Sequence, residues 1–252
     1  MGSAHHQLDG SAPPRGARGL QSGWPAMDRA VQLVETLHTP WKLAYALRRR
    51  TMLAALRAAA PLRPRAEMER LGSGYGGWVV PTDLVEPGWT CLCAGAGVDV
   101  SFDLALAQRT GATVITVDPT DESREHVTRV DGEQRLRFVQ AALWREDGEL
   151  EMFLAAHPQH RTLSSDDLQR TGRSVRVPAR SLASFGSVDL LKLDIEGAEY
   201  DVLPAVGPET RVLCVEMHPT RGVRAAVRAV RGLRKSGFEL IARRGTDFTF
   251  LR

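Results

Sequence analysis

The sequence is poor in cysteine and has no long hydrophobic run. Its three cysteines, Cys91, Cys93 and Cys214, lie in apolar, strand-like segments and show no CxxC spacing. This pattern predicts reduced thiols in the core of a cytosolic protein, because a reactive thiol needs an electropositive and partly exposed setting. No apolar run is long enough to span a membrane. We therefore expect a cytoplasmic protein without a membrane partner.

Most of the chain also lacks the excess of basic charge that nucleic-acid binding requires. Lysine and arginine number 33 against 30 aspartates and glutamates, and residues 1–65 hold ten of the basic but only three of the acidic side chains. The body of the protein is therefore slightly acidic, which argues against a surface that follows a phosphate backbone. We expect no nucleic-acid partner; the alternative is a basic N-terminal arm that touches nucleic acid or anionic lipid.

The N-terminal quarter of the chain divides into two segments. Residues 1–26 are rich in Gly, Ser, Pro, Ala and Arg without an apolar period, which predicts a disordered tail. From Met27 the pattern is helical, and we expect residues 27–70 to form an N-terminal helical cap. Its second helix begins near Thr39 and Pro40 and carries the apolar stripe Trp41, Tyr45, Met52 and Leu56. These helices either pack on the core or face the substrate as a lid.

Strand and helix patterns alternate through the rest of the chain, which predicts an α/β fold. We expect a doubly wound, mostly parallel Rossmann-like sheet that binds its ligand beyond the carboxyl ends of the strands. The final segment FELIARRGTDFTFLR predicts an antiparallel C-terminal hairpin around Arg244 and Gly245. A second hairpin is predicted in WREDGELEMFLA, with its turn at Asp147 and Gly148.

The segment AGAGVDVSFD lies between a predicted strand and a predicted helix. Gly95 and Gly97 allow a tight turn and close approach of a ligand to the backbone, and Asp118 follows Gly97 by 21 residues at the end of the next strand. A carboxylate there can accept hydrogen bonds from ribose hydroxyls. Val100 replaces the third glycine of the dinucleotide fingerprint, so the cofactor need not contain a pyrophosphate. The alternative is an ordinary turn capped by Asp99.

The segment VDLLKLDIEGAEYDVL combines a buried strand with several charged residues. Asp194 closes the strand, Glu196 follows it, and Glu216 and His218 end the next strand-like run with the same spacing. If the two strands are neighbours, these four candidate catalytic residues converge on one cleft. We expect Lys192 to pair with a carboxylate. Glu199 and Asp201 are interpreted as charges on the first turn of a helix.

Five segments carry a family resemblance. They are YGGW (75–78), GAGVDVSFDLAL (95–106), VDPT (117–120), LLKLDIEGAEYDVL (190–203) and CVEMH (214–218). In these segments the chain resembles the FkbM-type methyltransferases, and KLDIEGAE is the most specific match. The resemblance implies a class I methyltransferase domain at residues 71–252 that uses S-adenosylmethionine. The cofactor-binding residues implied in this way are Tyr75, Gly95, Ala96, Gly97, Asp99, Asp118 and Pro119, with Ala141 and Ala142 lining the adenine.

The same resemblance implies transfer of the methyl group to a hydroxyl of a small natural product or sugar. A base must remove the hydroxyl proton, and His218 or a partly desolvated carboxylate suits this task. We expect no metal; the alternative is a divalent cation on Asp194, Glu216 and His218. The rival functions are a nicotinamide-dependent Rossmann oxidoreductase and a non-catalytic nucleotide-binding module with a basic arm. The oligomeric state is open, with a homodimer as one option.

Overall fold

Aliphatic runs of the sequence form the central strands of the fold. The structure is a computed structural model that describes residues 43–154, 163–167 and 171–252, all within one compact unit, Trp41–Arg252. The predicted tail and the predicted helix after Met27 lie outside the described residues. No described helix combines the length and the apolar character needed to cross a bilayer.

The described elements alternate along the chain. The strands are β1 (Glu69–Leu71), β2 (Trp78–Val80), β3 (Thr90–Ala94), β4 (Thr113–Val117), β5 (Leu136–Val139), β6 (Ala142–Trp144), β7 (Gly148–Leu154), β8 (Leu163–Ser164), β9 (Ser174–Ser181), β10 (Leu190–Leu193), β11 (Val212–Glu216), β12 (Glu239–Arg244) and β13 (Asp247–Leu251). The helices are α1 (residues 43–59), α2 (Ser101–Thr110), α3 (Asp121–Val130), α4 (Glu199–Val202) and α5 (Gly222–Lys235).

A seven-stranded mixed sheet organises the fold, and the predicted α/β class is confirmed. Its strand order is β12-β13-β11-β10-β3-β4-β5. The five strands from β11 to β5 are parallel, whereas β13 runs antiparallel to both β11 and β12. In the register of β10, Leu193 lies between Ala94 of β3 and Val215 of β11. The carboxyl ends of these three strands therefore lie side by side, and the residues that follow them meet at one edge.

Both faces of this sheet are covered, which explains the continuous aliphatic runs. On one face, Leu191 and Leu193 pack with α1 and α5; on the other, Leu190 and the three cysteines pack with α2. The cysteines are buried free thiols, and burial raises the pKa of both Cys91 and Cys214 to about 12. The prediction of core thiols is confirmed.

Helix α1 contributes directly to the main hydrophobic core. Met52 and Leu56 are fully buried there, together with Ala59 and Ala60 just beyond them. Of the predicted stripe, Met52 and Leu56 are buried and Tyr45 is half-buried, while Trp41 lies outside the described residues. The packing of α1 on the core is thus a property of this structure, whatever else the helix does.

The hairpin predicted around Asp147 and Gly148 is wrong. Strands β6 and β7 belong to a second sheet of order β6-β9-β7-β8, in which β9 lies between them, parallel to β6 and antiparallel to β7. The Asp147 carboxylate accepts hydrogen bonds from the backbone N–H of Ser181 at 2.6 Å and the hydroxyl of Ser184 at 3.0 Å. These bonds tie the turn to the end of β9, so a strand distant in sequence replaces the local pairing.

Candidate functional site

The turn between β3 and α2 requires glycine at position 95. Gly95 has a φ of 87°, and a Cβ at this position would lie 1.7 Å from the carbonyl oxygen of Asp194. Because no side chain tolerates such an overlap with backbone, only glycine fits. The buried ammonium group of Lys192 donates a hydrogen bond to the Gly95 carbonyl at 2.6 Å. The glycine turn and the end of β10 are therefore in direct contact.

Lys192 thus has a backbone carbonyl as its hydrogen-bond partner, where the sequence had predicted a carboxylate. Burial lowers its pKa, but the nearby charges of Asp194 and Asp103 outweigh burial and raise the pKa above its usual value. Asp103 is also buried and accepts a hydrogen bond from the Thr116 hydroxyl at 2.7 Å. A charged lysine below the glycine turn therefore holds the turn in place.

Asp118, at the end of β4, holds the same turn from the other side. Its Oδ2 accepts hydrogen bonds from the N–H groups of Ala96 at 3.0 Å and Gly97 at 3.1 Å. Its Oδ1 accepts hydrogen bonds from the backbone N–H and hydroxyl of Thr120 at 2.9 Å and 2.6 Å, across Pro119. These four bonds occupy the acceptor positions of a carboxylate. In this structure Asp118 shapes the turn, and its contact with a ribose stays a prediction.

Asp99 links the glycine turn to the loop at residues 72–77. Its carboxylate accepts hydrogen bonds from the Ser73 hydroxyl at 2.5 Å, the Gly76 N–H at 3.2 Å and the Ser101 N–H at the start of α2 at 3.0 Å. Although burial raises the pKa of Asp99, hydrogen bonds from Ser101 and Ser73 lower it below its usual value. Asp99 therefore caps α2 and anchors this loop, whose Tyr75 side chain is 91% exposed.

The surface over Gly97 is open. A Cβ on Gly97 would meet no atom within 4 Å, and both Gly97 and Val98 are exposed. A ligand can therefore approach the backbone of the turn at this point. Ala141 and Ala142, the predicted adenine contacts, are buried where β5 ends.

The structure brings together Asp194, Glu196, Glu216 and His218 beside the glycine turn. Nε2 of His218 lies 3.4 Å from Oε2 of Glu196 and 3.9 Å from Oε1 of Glu216. One donor atom each from Asp194, Glu216 and His218 lie within 4.8 Å of one another. Glu196 has a φ of 52°, which is unusual for a residue with a side chain and is typical of functional sites. We call these four residues the acid–histidine cluster.

Sequence reasoning missed a fifth member of the site, Glu199. Its carboxylate has no exposed surface and accepts hydrogen bonds from the N–H groups of Ile195 at 3.1 Å and Gly197 at 3.0 Å. Its Oε1 also lies 2.8 Å from Nδ1 of His218. Asp201, by contrast, forms an ion pair with Arg221 at 3.0 Å away from the cluster. The available signal was a glutamate in the first turn of a helix, which can fold back on the preceding N–H groups.

Charge neighbours shift the pKa values in the cluster. Burial lowers the pKa of His218, but Glu199, Glu196 and Glu216 outweigh it and raise the pKa to about 10. Burial and the charge of Asp194 raise the pKa of Glu216 to about 7. Burial also raises the pKa of Glu196. In this state His218 carries a proton at neutral pH, so it is not the base expected from its ordinary pKa.

Helix α1 also reaches the cluster. Burial and the charges of Glu196 and Glu216 raise the pKa of Tyr45 to about 12. On the other side, the Tyr200 hydroxyl donates a hydrogen bond to the backbone carbonyl of His218 at 2.6 Å. One face of α1 therefore packs in the core through Met52, while Tyr45 borders the charged residues.

Comparison with known proteins gives one family and one described structural neighbour. The Methyltransferase FkbM domain matches residues 94–240. A crystal structure of Methyltransferase FkbM from Methylobacillus flagellatus KT is similar with a TM-score of 0.45 and 12% sequence identity, over 76% of this chain and 48% of that one. The chain thus spans about half the length of that protein. No curated protein matches the sequence.

Proposed function

Because the chain belongs to the FkbM methyltransferase family, we propose that it is an S-adenosylmethionine-dependent enzyme that methylates a hydroxyl of a small natural product or sugar. We also assign residues 71–252 to the class I methyltransferase fold, with a doubly wound, Rossmann-like sheet. The parallel strands β11 to β5 and the antiparallel pair β12 and β13 support this assignment.

One observation carries the functional proposal. The glycine turn touches the end of β10, since a Cβ on Gly95 would overlap with the Asp194 carbonyl oxygen. A ligand bound over the turn therefore lies next to the acid–histidine cluster. Methyl transfer needs this arrangement, because the methyl donor and the acceptor oxygen must meet in line.

The residues around the turn fit S-adenosylmethionine. The open surface at Gly97 admits a ligand to the backbone, and Val100 stands where a pyrophosphate-binding loop has glycine. Asp118 fixes the turn through Ala96 and Gly97. We propose that Gly95, Gly97, Asp99 and Asp118 hold the cofactor, directly or through the shape of the turn.

We assign the acceptor side to the acid–histidine cluster. When bound, S-adenosylmethionine supplies a methyl group to the acceptor oxygen, and its sulfur keeps the bonding electron pair, leaving S-adenosylhomocysteine. The carboxylate of Glu196 is the base that takes the hydroxyl proton, because its side chain is 42% exposed and its backbone places it over Nε2 of His218. Protonated His218 and Glu216 orient the acceptor.

Calorimetry tests the cofactor. S-adenosylmethionine and S-adenosylhomocysteine should bind at least tenfold more tightly than nicotinamide dinucleotides, a gap of about 1.4 kcal/mol. Asp118→Ala should weaken binding of both by roughly 1–3 kcal/mol, because the turn loses its charged acceptor. Preference for a dinucleotide would identify an oxidoreductase instead.

Turnover tests the chemistry. Release of S-adenosylhomocysteine should follow addition of hydroxylated small molecules, and Glu196→Gln should lower the rate by about two orders of magnitude. The matched control is Glu209→Gln, a glutamate far along the chain from the cluster. Tight cofactor binding without turnover on any acceptor would favour the non-catalytic binding module.

A further inference from the structure

We propose that Asp194, Glu216 and Nε2 of His218 form a divalent-cation site that binds the acceptor oxygen. The proposal rests on the proposed function only for the role of the cation, since the site itself is argued from geometry. It adds a metal to a reaction for which the sequence alone favoured none.

The orientation of His218 supports a metal ligand. Glu199 holds Nδ1 at 2.8 Å, so the proton on Nδ1 is fixed and Nε2 points at the carboxylates. His218 is 94% buried, and within the described residues its Nε2 has ion-pair distances but no hydrogen bond. A carboxylate that fixes the second nitrogen of a histidine is the usual outer partner of a metal-bound imidazole.

The donor atoms have the required spacing. Two ligands at right angles on a small divalent cation lie about 3 Å apart, and two opposite ligands about 4 Å apart, for bonds of about 2.1 Å. The donor atoms of Asp194, Glu216 and His218 lie within 4.8 Å of one another. Small side-chain rotations therefore close the site without movement of β10 or β11.

Glu216 is partly fixed as well. Its Oε1 accepts a hydrogen bond from the Thr246 hydroxyl at 2.9 Å. The residue after Glu216, Met217, donates its N–H to the Thr246 carbonyl at 2.9 Å. The turn between β12 and β13 thus orients one oxygen of Glu216 and leaves the second oxygen available.

The charge balance calls for a cation. Within the described residues, His218 is the only basic side chain at ion-pair distance from Glu196 or Glu216, and Asp194 forms no ion pair. Arg244, the next basic group near the turn of β12 and β13, donates instead to the Gly74 carbonyl at 3.4 Å. A divalent cation that replaces the Nε2 proton offsets the repulsion among these carboxylates.

A set of two carboxylates and one imidazole suits Mn²⁺ or Zn²⁺. Such a cation stabilises the oxygen anion that forms when the acceptor hydroxyl gives its proton to Glu196. The proton moves from oxygen to carboxylate, the oxygen forms its bond to the methyl carbon, and the cation is unchanged.

Binding of Mn²⁺ alone tests the site without cofactor or acceptor. The full chain, stripped with a chelator and desalted, is titrated with MnCl₂ while electron paramagnetic resonance reports the free ion. We expect one saturable site per chain and spin-echo modulation from one imidazole nitrogen. Absence of a saturable site, or a site without nitrogen modulation, overturns the proposal.

Three variants locate the site. Glu216→Gln and His218→Gln should each weaken Mn²⁺ binding by roughly tenfold or more, whereas Asp201→Asn should bind as the unmodified chain does. Circular dichroism checks the fold of each variant. If both ligand variants keep the affinity, the ion binds elsewhere and the proposal is wrong. If one variant does not fold, the other and the nitrogen modulation still decide.

The cofactor experiment separates the two proposals. S-adenosylmethionine binding without a Mn²⁺ site overturns the cation alone. A Mn²⁺ site in a chain that does not bind S-adenosylmethionine overturns the proposed function alone.

Discussion

Nδ1 of His218 lies 2.8 Å from Oε1 of Glu199, a carboxylate with no exposed surface. The same carboxylate accepts the N–H groups of Ile195 and Gly197, so it also fixes the turn that carries Glu196. One buried side chain thus orients both the imidazole and the turn. Glu199 is a positioning residue for the acid–histidine cluster.

Replacement of Glu199 by glutamine should separate positioning from cofactor binding. Glutamine keeps the volume but offers a single acceptor oxygen, so one of the three donors loses its partner. We expect turnover to fall by about tenfold or more, unfolding free energy to fall by roughly 1–3 kcal/mol, and S-adenosylmethionine affinity to stay unchanged. Steady-state kinetics, urea unfolding and calorimetry measure the three quantities.

The control for Glu199→Gln is Asp201→Asn on the same helix. Asp201 pairs with Arg221 near the surface, where an ion pair contributes about 1 kcal/mol or less. Nitrogen NMR of His218 should show a changed tautomer or hydrogen bond in Glu199→Gln only. Equal effects of the two substitutions on turnover would contradict the positioning role.

Substitutions on α1 test its place in the core. Leu56 is fully buried, whereas Leu47 on the same helix is 65% exposed. Leu56→Ala should therefore lower the free energy of unfolding by about 2–5 kcal/mol, and Leu47→Ala by less than about 0.5 kcal/mol. Urea denaturation gives both values. Similar small losses at the two positions would show that α1 is a detachable cap.

The pH dependence of stability tests Asp99. The pKa of Asp99 is lowered in the folded chain, so its contribution is complete above the unfolded pKa, about 3.9, and is lost as the pH falls through the folded pKa. The melting temperature of Asp99→Asn should lie below that of the unmodified chain at pH 7, and the difference should shrink below about pH 4. Thermal unfolding across this range provides the measurement.

A surface carboxylate serves as the comparison for Asp99. Glu239 pairs with Arg63 at 3.3 Å, and both side chains are more than half exposed. Glu239→Gln should therefore change the melting temperature little at any pH. A constant difference for Asp99→Asn down to acid pH would mean that its hydrogen bonds do not depend on charge.

The sequence predicted the place of the site better than the contacts within it. Strand ends at Asp194 and Glu216 could be located because buried parallel strands have aliphatic runs and their carboxyl ends share one edge. The role of Glu199 could not be deduced in the same way. Its side chain folds back only because Glu196 takes a left-handed φ, and no residue type at that position announces it.

Long-range pairing set the other limit. The turn at Asp147 and Gly148 has the local chemistry of a hairpin, yet β9 enters between the strands that flank it. Local periodicity carries no information on a strand that begins at Ser174. For Asp118 the position was predictable, but its four bonds to the turn depend on how β4 lies beside β3.

Two glycines of one turn provide the sharpest test of the cofactor site, because they differ in their surroundings. Both have positive φ, 87° at Gly95 and 52° at Gly97, but only a Cβ at Gly95 would overlap with the Asp194 backbone. Gly95→Ala should lower the free energy of unfolding by about 3 kcal/mol or more, since strain and overlap add. Gly97→Ala should lower it by about 1 kcal/mol, from φ strain alone.

The order of the two effects reverses for ligand binding at matched stability. A methyl group at Gly97 projects into the open surface where we place S-adenosylmethionine, so Gly97→Ala should weaken its binding by roughly tenfold or more in a folded chain. Calorimetry against the unmodified chain measures this loss. Unchanged affinity in Gly97→Ala would move the cofactor away from the turn, and equal stability losses at both glycines would remove the contact between the turn and β10 on which the proposed site depends.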